Sequence, residues 1–142
     1  MLSPAANVPL YDATGFAAMR RAGRAAASLL DRITAHVVPG VTTGYLDALL
    51  TAWIQADGLV SATIGYRGYR HASCISPNHV VCHGIPGDKM LVDGDIINID
   101  VTVIVDGWFG DTSRMYTVGQ HIGAKARKLI DVTYECLMRG ID

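Results

Sequence analysis

Hydrophobic residues recur along this chain with two different periods, and the change of period marks its elements. From Phe16, the residues Met19, Ala22, Ala26, Leu30, Ile33 and Val37 return at steps of three and four. That spacing predicts an amphipathic helix whose other face carries Arg20, Arg24 and Asp31. Pro39-Gly40 stops it. Thr43 can cap a second helix, in which Leu46, Leu49, Leu50, Trp53 and Ile54 keep helical spacing until Asp57-Gly58. Both helices are expected to pack on a sheet. The residues before them, with Pro4 and Pro9, show no period and read as an extended surface lead-in over 1–13.

The run Gly65-Tyr66-Arg67-Gly68-Tyr69-Arg70 is too irregular for a strand or a helix and reads as a loop. Short β segments are expected near Cys74 to Ser76 and Val80 to His83. The period then changes to two. From Asp95 to Val105, Ile97, Ile99, Val101, Val103 and Val105 alternate with Asn98, Asp100 and Thr102, and Asp106-Gly107 is a favoured two-residue hairpin turn. The return strand is expected from Trp108 to about Val118. Ala124 to Arg139 is helical again, with Ile130, Thr133, Cys136 and Leu137 on one face. Leu29-Leu30-Asp31 before Gly40 is faintly echoed by Leu129-Ile130-Asp131 before Gly140.

Composition narrows the function classes. With 142 residues, half of them hydrophobic and 18% charged, the chain has material for one packed core. Twelve Lys plus Arg stand against 13 Asp plus Glu, and no basic run could neutralise a row of phosphates, so nucleic acid is not an expected partner. No apolar stretch approaches the roughly 20 residues that cross a bilayer, and no secretion-type leader opens the chain, so a soluble protein without a membrane partner is expected. Cys74, Cys82 and Cys136 form no C-x-x-C pair, which argues against a disulfide framework and a thiolate zinc site and fits a reducing cytoplasm.

The hairpin groups two acids. If Asp106 and Gly107 are the turn, Val105 pairs with Trp108, Thr102 faces Asp111, and Asp100 faces Ser113. Asp100 and Asp111 then emerge on one face as diagonal neighbours, with Cβ atoms roughly 5 to 8 Å apart. Two carboxylates that close need a proton, a cation or a metal between them, and no Lys or Arg alternates onto that face. A pair of divalent ions bridged by carboxylates resolves the repulsion and activates water. The same grouping also suits the solvated face of an edge hairpin, where Asp and Ser are commonplace, and a bulge would break the register. His83, between Val80-Val81-Cys82 and Gly84-Ile85-Pro86, sits where the backbone turns, and its imidazole could hydrogen-bond an amide or accept a proton. A structural role is the plainer alternative for it. His36, His71, His79 and His121 have no comparable setting, and Cys74 and Cys82 equally suit small buried hydrophobes.

Gly65-Tyr66-Arg67-Gly68-Tyr69, Cys74-Ile75-Ser76, Val81-Cys82-His83-Gly84-Ile85-Pro86, Asn98-Ile99-Asp100-Val101-Thr102 and Gly110-Asp111-Thr112-Ser113 together resemble, in order and spacing, the type I methionine aminopeptidases. The aspartate spacing alone is common to the wider pita-bread superfamily; the CHGIP and NIDVT strings select type I. The resemblance implies an α+β fold, with 14–142 as the N-terminal half of a pita-bread domain: an antiparallel curved sheet with helices on its outer face. It also implies a hydrolase that uses two divalent metal ions, Co, Mn, Fe or Zn, to remove the initiator methionine from nascent polypeptides when the second residue is small. Asp100 and Asp111 match metal ligands. His83 matches a catalytic, substrate-contacting histidine, and Tyr66, Tyr69 and Cys74 match positions around the methionine side chain. The alternative for the two tyrosines is a roof over the core.

The family's remaining ligands, one His and two Glu, have no counterpart after Asp111, where only His121 and Glu135 remain. The chain alone is therefore expected to be catalytically silent. It is also expected to need a partner for an exposed apolar edge, either a complementing second-half chain or another copy of itself. Two rival readings stand beside this one: a non-catalytic pita-bread remnant that binds peptides or a partner, and a prolidase-type enzyme, which the CHGIP string disfavours.

Overall fold

A computed structural model describes residues 9–142; the expected lead-in falls mostly outside the described residues, and 9–12 are exposed. Helix α1 spans Ala13–Ile33, capped by Asp12, whose side chain accepts from the Thr14 and Gly15 amides. It starts three residues before Phe16 and gives way at Thr34–His36 to a single 3-10 turn. Its buried stripe is Gly15, Ala18, Ala22, Ala26, Leu29, Leu30 and Ile33. Phe16 and Met19, expected in the core, are 55% and 46% exposed. The reason is a close approach. A Cβ added to Gly110 would lie 2.0 Å from the Ala22 carbonyl oxygen, so the helix backbone rests directly on the sheet and only small side chains fit between.

Helix α2 spans Thr43–Ala56. Its cap is Thr42, whose hydroxyl accepts from the Tyr45 amide, and not Thr43 as the sequence indicated. The Thr43 hydroxyl instead donates to the Gly87 carbonyl and accepts from the Gly87 amide. Leu46, Leu50 and Ile54 enter the core, with Leu49 and Trp53 packed at its margin.

Strands β1 (Val60–Ser61), β2 (Ser73–Pro77), β3 (Ile96–Val105) and β4 (Trp108–Thr117) form one antiparallel sheet. β3 is central. β4 pairs along one edge, while β1 and β2 follow one another along the other, opposite Val103–Ile104 and Ile97–Val101 respectively. The hairpin register is the one expected, without a bulge: Val105 opposite Trp108, Thr102 opposite Asp111, Asp100 opposite Ser113. Asp106 at φ 50° and Gly107 at φ 82° make a turn whose two left-handed residues suit the strand twist. Ile97, Ile99, Val101 and Val103 are wholly buried beneath α1 and α2, which lie on one side of the sheet. Burial of each such side chain contributes about 1.5–3 kcal/mol.

Val80 to His83 is not a strand, contrary to its apolar appearance, and Val81 is 92% exposed. The segment is a loop tied to β2 at Gly84. Ile75 donates to the Gly84 carbonyl and the Gly84 amide donates to the Ser76 hydroxyl. Further on, Gly87, Lys89 and Leu91 accept from the Gly44, Thr43 and Gly40 amides beside the start of α2. After β4, helix α3 (Ala124–Ile141) buries no residue, and Leu129, Leu137 and Ile141 are exposed. The echo of α1 in its sequence therefore ends at packing: Leu29 and Leu30 are core residues, while Leu129 lies open to solvent. No helix among the described residues is long and apolar enough to cross a membrane.

Candidate functional site

The sheet face turned away from the helices carries Cys74, Asn98, Asp100, Thr102, Phe109, Asp111 and Ser113, because alternation sends their neighbours into the core. Asp100 stands between Cys74 on β2 and Ser113 on β4, its cross-strand partners. Thr102 donates to Asp111 across the hairpin at 2.9 Å. Arg114 projects to the opposite face, where it pairs with Asp31 of α1. The Asp100 carboxyl is held above the usual aspartate range, first by burial and then by the charge of Asp111, against a smaller opposing effect of His83. Asp100 thus feels both of the other groups.

The chain leaves the sheet after β1 and returns as β2, and this excursion walls a cavity of about 650 Å³. Its lining is Ala62, Thr63, Tyr66, Arg67, Gly68, Tyr69, Cys74, His83, Thr102 and Phe109. The segment read as an irregular loop contains one 3-10 turn, Tyr66–Gly68. Tyr69 is fixed at its hydroxyl, which donates to the Ser73 carbonyl at 2.9 Å and lies 3.5 Å from the Cys74 sulfur. Burial, and then Cys74, push its phenol upward, so it stays protonated and keeps donating. His83 reaches the cavity from the tethered loop, with φ at 53°. A Cβ at Gly84 would fall 2.2 Å from the Ile75 carbonyl oxygen, so the loop can lie this close to β2 only with glycine there.

Tyr66, Tyr69, Cys74 and His83 therefore share one cavity, and Asp100 and Asp111 lie on the sheet face beside it. Thr102 joins the two regions, since it lines the cavity and bonds Asp111. Among the other histidines, His71 pairs with Asp47 and exposed His121 with Asp93. Sequence reasoning missed Phe109, although its place two residues before Asp111 put it on the same face. It also missed Asp47, whose partners are His71, Ala72 and Ser73.

A model of metallopeptidase family M24 matches residues 17–142. The chain belongs to that family. It is 50% identical over 136 residues to the methionine aminopeptidase of Rickettsia prowazekii, covering 96% of this chain and 52% of that protein. Against the methionine aminopeptidase of Escherichia coli K12 the identity is 52% over 121 residues, covering 84% of this chain and 46% of the relative. The crystal structure of the Rickettsia prowazekii enzyme superposes with a TM-score of 0.92, over 95% of this chain and 54% of that one. The Thermotoga maritima methionine aminopeptidase, 31% identical, gives 0.87 over 93% and 53%. An Xaa-Pro dipeptidase from Bacillus anthracis, 18% identical with a TM-score of 0.79, shares the fold alone. The resemblance to methionine aminopeptidases and the pita-bread fold are thus upheld, and the chain spans about half the length of the relatives it matches.

The family name implies a divalent metal, and the donors present fit it in part. Two carboxylates lie close enough for one to raise the pKa of the other, which is the repulsion a cation relieves. Yet among the described residues no three His, Cys, Asp or Glu side chains are grouped to hold an ion. A catalytic zinc usually has three protein ligands.

Proposed function

We propose that this chain is the aspartate-bearing part of a metal-dependent methionyl aminopeptidase, with residues 14–142 as the first half of its catalytic domain. The substrate is the N-terminus of a nascent polypeptide with a small second residue, and the setting is the cytoplasm, which suits its three free cysteines. The observation that carries this reading is the pair Asp100 and Asp111 set as diagonal neighbours beside a largely apolar cavity that His83 enters. Asp100 and Asp111 would contribute to holding two ions, drawn from Co, Mn, Fe or Zn, with the other ligands coming from a further segment. Bound divalent ions supply Lewis-acid polarisation and a water nucleophile at neutral pH.

The chain's own residues bind and orient. Tyr66, Tyr69 and Cys74 offer aromatic faces and a soft sulfur to an unbranched thioether, whose full burial is worth roughly 1.5–3 kcal/mol. His83 presents an imidazole for a hydrogen bond to the substrate amide near the scissile bond. Two carboxylates are too few donors to fix two ions, so turnover requires a complementing second-half segment.

The test is methionine release from a Met-Ala-Ser peptide with Mn(II). The 142-residue chain is assayed alone and after mixing with the separately expressed second half of the Rickettsia prowazekii relative. No release alone, release on mixing, and none with Asp100→Asn are the expected results. Tight binding of two ions with full peptidase activity by the chain alone would overturn the incompleteness. Peptide binding without release or metal dependence under either condition would favour a non-catalytic peptide-binding module.

A further inference from the structure

Asp47 is an acid on the core stripe of α2, 6% exposed, and its hydrogen bonds go to His71, Ala72 and Ser73. One of its oxygens accepts three bonds, from the Ala72 amide at 3.0 Å, the Ser73 amide at 2.9 Å and the Ser73 hydroxyl at 2.7 Å. The other oxygen lies 2.9 Å from Nδ1 of His71. The carboxylate thus grips the three residues at which the cavity wall re-enters the sheet. The His71 ring in turn stands edge-on to Tyr69, with ring centroids 5.5 Å apart. Two side-chain attachments of Tyr69 trace back to this one group: its ring rests on His71, and its hydroxyl donates to the carbonyl of Ser73. The Thr63 hydroxyl, donating to the His71 carbonyl at 2.7 Å, closes the neck of the same excursion.

We propose that Asp47 and His71 are positioning residues that fix the Tyr69 wall and so set the cavity's preference for an unbranched N-terminal side chain. This rests on the reading of the cavity as the methionine pocket. A tether made only for folding would tolerate any change that preserves stability. A positioning pair would not, because a wall that shifts by less than a methyl group alters which side chains fit, and a single methylene discriminates by about 10- to 200-fold.

His71→Asn separates the two roles, since its amide keeps a donor for Asp47 while the ring against Tyr69 is lost. In the 142-residue chain the expected results are a nearly unchanged urea midpoint, shifted Tyr69 ring-proton resonances, and a preference for L-methioninamide over L-valinamide reduced about tenfold. Asp47→Asn is the harsher variant, and if it fails to fold His71→Asn still decides. Unmoved Tyr69 resonances, or an unchanged preference, overturn the proposal. If the unaltered chain binds neither amide, alone or complemented by the second half of the Rickettsia prowazekii relative, the pocket reading fails, and the Tyr69 resonances of His71→Asn alone then uphold or reject the positioning role.

Discussion

Cys74 on β2 lies directly opposite Asp100 on β3, so the wall of the cavity and the acid-bearing face of the hairpin meet at one cross-strand pair. The same strand position makes Asp100 half-buried, and its carboxyl is raised by that burial and by Asp111.

In the metal-free chain, Asp111→Asn removes the second of these causes and leaves the first. The Asp100 carboxyl is then expected to titrate lower than in the unaltered chain while staying above the ordinary value of 3.8. The linked stability has a definite sign. A carboxyl raised in the folded state stabilises fully below the unfolded value, and that stability is lost as pH rises through the folded one. Urea unfolding in the presence of a chelator should therefore show a fall in stability above pH 3.8 that is shallower in Asp111→Asn. Carbon NMR of the carboxyl gives the titration itself, and an Asp100 titration unmoved by the substitution would show that the two acids do not interact.

Gly84→Ala places a Cβ against the Ile75 carbonyl, a backbone atom that can yield only if the loop moves away from β2. The expected result is loss of the Ile75 amide bond to Gly84 and a cost of about 1–3 kcal/mol, typical of overpacking. Amide exchange at Ile75 should accelerate, and the His83 ring resonances should shift, because the loop that aims His83 is the part displaced. Unchanged exchange at Ile75 would contradict this account.

Gly110→Ala strikes the other close approach, where the sheet meets the Ala22 carbonyl of α1. It is expected to lower the urea midpoint more than Gly140→Ala or Gly123→Ala, where an added Cβ meets nothing within 4 Å. Gly123→Ala is the control. Equal midpoints for the two variants would mean that α1 does not depend on direct backbone contact with β4.

The hairpin was legible because two local signals agreed: strict alternation from Ile97 to Val105, and Asp106-Gly107 with the left-handed backbone its turn requires. That agreement also made the Asp100 and Asp111 placement readable. On the stripe read for α1, Ala22, Ala26, Leu30, Ile33 and Val37 are buried, but Phe16 and Met19 turn outward, because α1 meets β4 at Gly110 against Ala22 and at Trp108 against Gly15, where only small residues fit. Val80 to His83 looked like a strand by apolarity alone, but its neighbours bond to Ser76, Ile75 and the start of α2, partners that no local pattern reveals. Asp47 was silent for the same reason, since its partners lie 24 to 26 residues away. The one available sign was an acid in register with Thr43, Leu50 and Ile54 on the apolar stripe of α2, a position that demands buried donors.

Tyr116 gives a test of how α1 is held on the sheet. Its hydroxyl donates to the Leu30 carbonyl at 2.7 Å, and burial pushes its phenol up to about 12. Because the unfolded value is 10, stability owed to the neutral phenol is complete below pH 10 and is lost as pH rises from there towards 12. Tyr116→Phe should cost about 0.5–1.5 kcal/mol at neutral pH, the net worth of one hydrogen bond. It should also flatten the decline between pH 10 and 12, since phenylalanine has no proton to lose. Unfolding midpoints at pH 7 and across that alkaline window measure both effects. Parallel declines in the two proteins would mean that the Tyr116 hydroxyl is not buried against α1.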